Sequence, residues 1–245
     1  GTPTTRFEYD TFGNLVRERQ LLEGTPDQAD AVWADTFHYY DELGRRIRTV
    51  DAEGYVTAWQ YDALGQIEIQ VEFARKINTS SLTTATLPPL PAAGNAATGY
   101  DRSTQWQYDL LGRKVKESAS HLYQTAAGAN ASRMVDTSFG YDAEGRLLTT
   151  TVDGVKVSGI AYDALGRTIS TTEAEQKVLR NDWQSLLAGD QGLDLSSAAL
   201  YADIAPYTTM DYDALGNALR VVRYANGDPA SGAPDEADVA NAVTT

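Results

Sequence analysis

Apolar and polar residues alternate over short stretches of this chain, and each stretch runs into a Tyr. Two residues before that Tyr stand Phe7, His38, Trp59, Trp106, Phe139, Ile160 and Met210, apolar in six of seven cases. The residue between is Glu8, Tyr39, Gln60, Gln107, Gly140, Ala161 or Asp211, mostly polar or small. A period of two marks a half-buried strand, here with the Tyr and its partner on the inner face. After the Tyr comes Asp, and three residues later Gly: Tyr9-Asp10…Gly13, Tyr40-Asp41…Gly44, Tyr61-Asp62…Gly65, Tyr108-Asp109…Gly112, Tyr141-Asp142…Gly145, Tyr162-Asp163…Gly166 and Tyr212-Asp213…Gly216. Asp first and Gly fourth are favoured in a type I turn, where Asp caps the backbone and Gly permits a positive φ.

Each Gly is followed by a polar residue: Asn14, Arg45, Gln66, Arg113, Arg146, Arg167 or Asn217. Three residues after the Gly stand Val16, Ile47, Glu68, Val115, Leu148, Ile169 and Leu219, again apolar in six. A β-branched, Thr-rich run such as Leu148-Thr149-Thr150-Thr151-Val152 reads as the return strand of a β-hairpin. The residue before each Gly is bulky in all seven copies and apolar in all but Glu144 (Phe12, Leu43, Leu64, Leu111, Leu165, Leu215). An apolar tip is expected to pack on a neighbouring hairpin. A lone hairpin cannot bury its own apolar face, so a repeat of this kind serves to extend a sheet.

The motif Tyr residues are spaced 31, 21 and 47 residues apart, then 33, 21 and 50. Three hairpins therefore make a super-repeat of about one hundred residues, which marks a repeat architecture. The expected organisation is one Tyr-Asp β-sheet unit over 1–225, with super-repeats at 5–103 and 104–208 and a third beginning at 209–225. A flexible Ala-, Asp- and Pro-rich tail, part of a continuing repeat, follows at 226–245. Its Ala233-Pro234-Asp235-Glu236-Ala237-Asp238 matches the slot of Thr25-Pro26-Asp27-Gln28-Ala29-Asp30. The insertion at 73–103, with Leu87-Pro88-Pro89-Leu90-Pro91, reads as an extended, mobile loop. Its counterpart at 177–208 is expected to form short helical turns at Trp183–Leu187 and Leu193–Tyr201. A strip of this kind is expected to leave open strand edges near Thr5–Tyr9 and Asn217–Tyr224.

Composition narrows the function classes. A formal charge of −14 argues against a nucleic-acid partner. The absence of Cys leaves neither disulfides nor thiolate metal sites. No apolar run approaches the roughly 18 residues needed to span a membrane. The start, Gly1-Thr2-Pro3-Thr4-Thr5, lacks signal-peptide features and opens directly into a repeat, as expected of a piece of something longer.

Seven iterated Tyr-Asp-x-x-Gly motifs over residues 5–225, four of them followed by Arg, resemble the YD repeat of the bacterial RHS (rearrangement hotspot) family. That family includes polymorphic toxins, the B and C components of insecticidal toxin complexes, and the teneurins. The resemblance implies an all-β fold of antiparallel β-hairpin repeats, a strip of a wide spiral sheet with irregular or short helical insertions. In the family's toxins such a shell encloses a C-terminal effector that a self-cleaving aspartyl segment releases. The implied partners are the remainder of a parent shell and an enclosed effector polypeptide, with no cofactor. The implied location is secreted or at the bacterial cell surface, with the export route not visible in the chain. No effector and no such cleavage segment are present in the sequence; Asp228-Pro229 lacks the segment's surroundings and reads as a loop.

Candidate chemistry is sparse. Each motif Asp is explained as a turn cap. Asp51-Ala52-Glu53-Gly54 lacks the ligand pattern of a calcium loop and reads as another hairpin turn. His38 and His121 are too few for a His-rich metal site, and His38 reads as a packed aromatic substitute. No nucleophile elbow, Walker loop or dinucleotide fingerprint occurs. Asn78-Thr79-Ser80 and Asn130-Ala131-Ser132 match the glycosylation triplet by chance. The aromatic stripe, Trp59 and Trp106 above all, offers an alternative: a cell-surface adhesion module stacking sugars on exposed rings. The leading expectation is a non-enzymatic wall segment that encloses an effector, with no catalytic, cofactor or metal residues.

Overall fold

The computed structural model describes residues 4–95, 99–179, 201–224 and 243–244. Among these the fold is all-β, with no helix. The strands are β1 (Thr5–Tyr9), β2 (Leu15–Glu23), β3 (Val32–Tyr40), β4 (Arg46–Val50), β5 (Tyr55–Tyr61), β6 (Ile67–Lys76), β7 (Arg102–Tyr108), β8 (Lys114–Gln124), β9 (Asn130–Tyr141) and β10 (Leu147–Val152). There follow β11 (Val155–Tyr162), β12 (Thr168–Glu173), β13 (Gln176–Leu179), β14 (Tyr201–Ile204), β15 (Tyr207–Tyr212), β16 (Ala218–Tyr224) and β17 (Val243–Thr244). The chain divides into two compact units, Gly1–Val135 and Asp136–Thr245.

In the first unit, β1 to β8 form an antiparallel meander in chain order. The Tyr-Asp turns join β1 to β2, β3 to β4, β5 to β6 and β7 to β8. Because alternate turns of a meander fall at opposite ends, these four lie together at one end of the strands. The turns at Asp51–Gly54 and Thr125–Gly128 lie at or beyond the other end. In the second unit the order continues through β10, β11 and β12 to β15, β16 and β17. An Asp153-Gly154 turn with φ of 49° and 81° joins β10 to β11, as a two-residue hairpin requires.

The core of the first unit lies where the alternation did not place it. Phe37 and Tyr39 are 4% and 5% exposed, and with Val50 and Val56 they form a buried cluster. Ile47, Phe73, Ile77 and Leu82 pack against it. Tyr39 occupies the position between the two residues read as inward, so in β3 that outer position is the more deeply buried. The chain after β6 supplies the cover. Tyr39 Oη donates to Thr83 O at 3.0 Å, and Arg48 donates to Pro88 O. The carboxylate of Asp101 accepts the N–H of Ala74 at 2.8 Å and of Gly94 at 3.0 Å, tying both ends of the segment together. The insertion is therefore extended but fastened onto the sheet, where a mobile loop was expected.

A smaller cluster of Tyr207, Val222 and Tyr224 anchors the second unit, the two Tyr rings 6.3 Å apart. The insertion there contributes the separate hairpin β13–β14. The helical turns expected at Trp183–Leu187 and over most of Leu193–Tyr201 lie outside the described residues, and Tyr201 itself opens β14. Most of the tail at 226–245 also lies outside them; β17 pairs with β16.

Candidate functional site

The repeated feature of the molecule is the Tyr-Asp turn, and its backbone hydrogen bonds are the same in every copy. In each, the Gly N–H donates to the Asp carbonyl, at 2.9–3.2 Å. The Asp N–H donates to the carbonyl of the residue after the Gly, at 2.9–3.0 Å. The seven Gly residues take φ between 75° and 88°, the left-handed region that Gly occupies without steric cost. This is a three-residue hairpin loop, a type I turn closed by a left-handed Gly.

The Asp carboxylate completes it. One oxygen accepts the N–H groups two and four residues on, as with Asp41, which binds the N–H of Leu43 at 3.0 Å and of Arg45 at 2.9 Å. The other oxygen accepts from the side chain after the Gly: Asn14 to Asp10, Arg45 to Asp41, Arg113 to Asp109, Arg146 to Asp142, Arg167 to Asp163 and Asn217 to Asp213, all within 2.6–2.9 Å. The donors hold six of these carboxyls below their ordinary range. For Asp10 and Asp213 the largest cause is the Asn side-chain hydrogen bond. For Asp109 and Asp163 it is the backbone N–H of the following Arg. At Asp41 and Asp142 the largest single effect is desolvation, which pushes upward, and the combined donors of Arg45 and Arg146 outweigh it. An anion bonded in this way acts as a structural cap.

Two further elements couple one hairpin to the next, and sequence reading missed both. The first is a β-bulge beside every motif Tyr. Tyr39 faces Arg48 but Tyr40 faces Arg46, leaving Ile47 as the extra residue. The same slip leaves Val16, Glu68, Val115, Leu148, Ile169 and Leu219 unopposed. The mostly apolar positions three residues after the Gly are thus bulge residues, and Leu219 is well exposed. The carbonyl just before the extra residue is then met by the next hairpin's Tyr. Tyr40 Oη donates to Leu15 O at 2.8 Å, Tyr61 to Arg46 O at 2.8 Å, Tyr108 to Ile67 O at 2.9 Å, Tyr162 to Leu147 O at 3.1 Å and Tyr212 to Thr168 O at 2.8 Å.

The second is the residue after the Gly. Having clasped its own Asp through Nε, Arg45 lays its guanidinium over the Tyr61 ring at 4.6 Å. Arg146 does so over Tyr162 at 4.6 Å and Arg167 over Tyr212 at 4.8 Å. Arg167 also donates to Asp213 O at 3.0 Å. Gln66 has a different use: its amide donates to Gly112 O of the next turn at 3.1 Å. The recurrence of Arg and Gln at one position was the visible signal, but a planar cation reaching sideways cannot be read from spacing along the chain.

Register follows from these contacts. At five junctions the residue three before the Tyr faces the residue four after the preceding Gly: Phe37 and Arg17, Ala58 and Arg48, Gln105 and Ile69, Gly159 and Thr149, Thr209 and Ser170. The chain separation between the bonded Tyr and carbonyl varies from 15 to 44 residues, while the register does not.

Several expectations need correction. The apolar turn tips do not pack on neighbours: Phe12 is 89% exposed and Leu43, Leu64, Leu111, Leu165 and Leu215 at least 75%. A three-residue loop projects its central residues past the last strand pair, beyond reach of the sheet. His38 is buried, its Nδ1 lies 3.0 Å from Thr49 Oγ1, and burial lowers its pKa. His121 is exposed. Asp51 forms the same cap as the motif Asp residues, binding the N–H of Glu53 and Tyr55 at 2.9 Å. Trp59 and Trp106 are half-buried, and their indole N–H groups donate across the strand to Gln70 and Glu117, both at 3.0 Å. An open groove of about 800 Å³ in the first unit is lined by Phe12, Val16, His38, Tyr40, Leu43 and Leu87. Of its three acids, Asp10, Asp41 and Glu42, the first two are engaged in their own turns. Among the described residues no cluster of His, Asp or Glu could hold a metal ion, and no helix is long and apolar enough to cross a membrane.

The family model for the RHS Repeat matches residues 40–72, which hold the second and third Tyr-Asp turns. No curated protein matches the chain. Among solved structures, TcdB2-TccC3-TEV is 15% identical over 98% of this chain, with a TM-score of 0.42. TcdB2-TccC3-Cdc42 is 17% identical over 92% of this chain, with a TM-score of 0.41. A porin-like protein from Bacteroides uniformis is 12% identical over 99% of this chain, with a TM-score of 0.29. The chain spans 12% and 11% of the lengths of the first two. The matched residues 40–72 are similar to an RHS repeat, and the turn and bulge they carry recur in the copies on either side.

Proposed function

We propose that this chain is a non-enzymatic wall segment of an RHS shell that encloses a toxin or effector polypeptide, exported to the cell surface or beyond. One observation carries the reading: the motif's polar groups are spent on holding hairpin to hairpin. The Asp caps its own turn, the Arg reaches the next Tyr, and that Tyr returns a hydrogen bond. A residue set built for lateral coupling suits a wall that must extend without gaps. The glycan-binding alternative finds less support, because the indole N–H groups of Trp59 and Trp106 already have cross-strand partners.

Limited proteolysis of the parent protein tests enclosure. An effector held inside remains uncut at protease doses that digest the same effector expressed alone. Equal digestion of the two would refute the reading. Binding on a glycan array, lost on Trp59→Ala and Trp106→Ala with the fold intact, would favour the adhesion module instead.

A further inference from the structure

The insertion after β6 carries a run of residues that the repeat does not explain. In Leu87-Pro88-Pro89-Leu90-Pro91 every residue either is a Pro or stands before one. A Pro ring holds its own φ near about −65°, and its bulk pushes the preceding residue to extended backbone. All five residues are thereby steered into a polyproline II helix, which repeats every three residues and makes no internal hydrogen bonds. Burial follows that period. Pro88 is buried and Pro91 and Gly94 are half-buried, whereas the residues between them are exposed. One ridge rests on the sheet, where Pro88 O accepts from Arg48 and Gly94 N donates to Asp101. A second ridge, Leu87 and Leu90, faces water at 46% and 48% exposure. Among the described residues Leu87, Pro89 and Leu90 make no hydrogen bond, so their carbonyls are available. None of residues 77–100 is charged, in a chain of which 22% is.

We propose that this outer ridge docks a partner protein domain with an uncharged, aromatic-lined groove of the kind that reads polyproline helices. The groove's rings pack on Leu87, Pro89 and Leu90, and its ring N–H or hydroxyl groups donate to the free carbonyls. A groove that also requires a basic flanking residue finds none within 77–100. Fastening at Arg48 and Asp101 holds the helix in its bound form beforehand, so little chain order is lost on docking. Packing on the sheet accounts for Pro88 and Pro91, but not for two Leu side chains turned to water three residues apart. The inference stands apart from the wall reading, since it concerns only the outer ridge of the insertion.

The test uses an isotope-labelled WW domain as the probe, titrated with the full folded chain and followed by NMR. The expected result is saturable binding, with the shifted resonances confined to the probe's aromatic groove. Leu87→Asp combined with Leu90→Asp weakens binding about tenfold or more through the lost burial of two side chains. Leu165→Asp, at an exposed apolar turn tip elsewhere, leaves it unchanged. All three side chains are exposed, so both variants keep the parent's urea midpoint. Failure of the folded chain to bind overturns the proposal, even where a peptide of residues 82–94 binds the same probe, because the sheet then shields the ridge. Binding that survives the two Leu substitutions, or that Leu165→Asp abolishes as well, overturns it too. None of these outcomes bears on the wall reading, which protease protection tests separately.

Discussion

At the scale of single residues, the Tyr-Asp motif divides its labour between turn and neighbour. Asp163 alone accepts two backbone N–H groups and one guanidinium, and its loss strands all three. Asp163→Ala is expected to lower the urea midpoint, measured by urea unfolding. Tyr108→Phe deletes only the bond to Ile67 O and should cost about 1 kcal/mol. Leu165→Ser, at an exposed tip, should change stability by less than about 0.5 kcal/mol; a larger loss would revive tip packing. The turn was legible in sequence because everything it needs lies within five consecutive residues. The Arg clamp was not, because its target belongs to the next hairpin.

At the scale of elements, the bulge explains why hairpins joined by such different lengths of chain stack alike. It frees one carbonyl at a fixed place, and the next Tyr seeks that carbonyl whatever the connector. The meander and its strands were legible from alternation and turn residues. The core was less so: Tyr39 and Tyr40 are adjacent and chemically equal, and only the insertion lying over one face decides which is buried. Phe37→Ala should therefore cost about 3–5 kcal/mol, as a fully packed ring does, and disturb the insertion's contacts with the first unit. The same holds at Gly54, whose φ is 95° and where a Cβ would come within 2.4 Å of Ile77 O. Neither constraint leaves a trace in local sequence beyond the Gly itself.

At the scale of the whole chain, the repeated clasp makes stability depend on acid in a definite direction. Six motif carboxyls have folded pKa values below the ordinary 3.8. The unfolded chain binds protons more readily than the folded one, so stability rises with pH through the acid range. Their contribution is complete above the unfolded value and is lost as pH falls through the lower folded values. The urea midpoint should hold steady from about pH 6 to pH 5 and drop below about pH 4, less steeply once several motif Asp residues are changed to Asn. The central claim is that the ladder is held together by side chains passed from one hairpin to the next. A double-mutant cycle of Arg167→Met and Tyr212→Leu measures this directly, because these residues lie in successive hairpins and stack at 4.8 Å. A coupling energy of about 0.5–1 kcal/mol is predicted. Strict additivity of the two losses would contradict it, leaving the motif as no more than a turn.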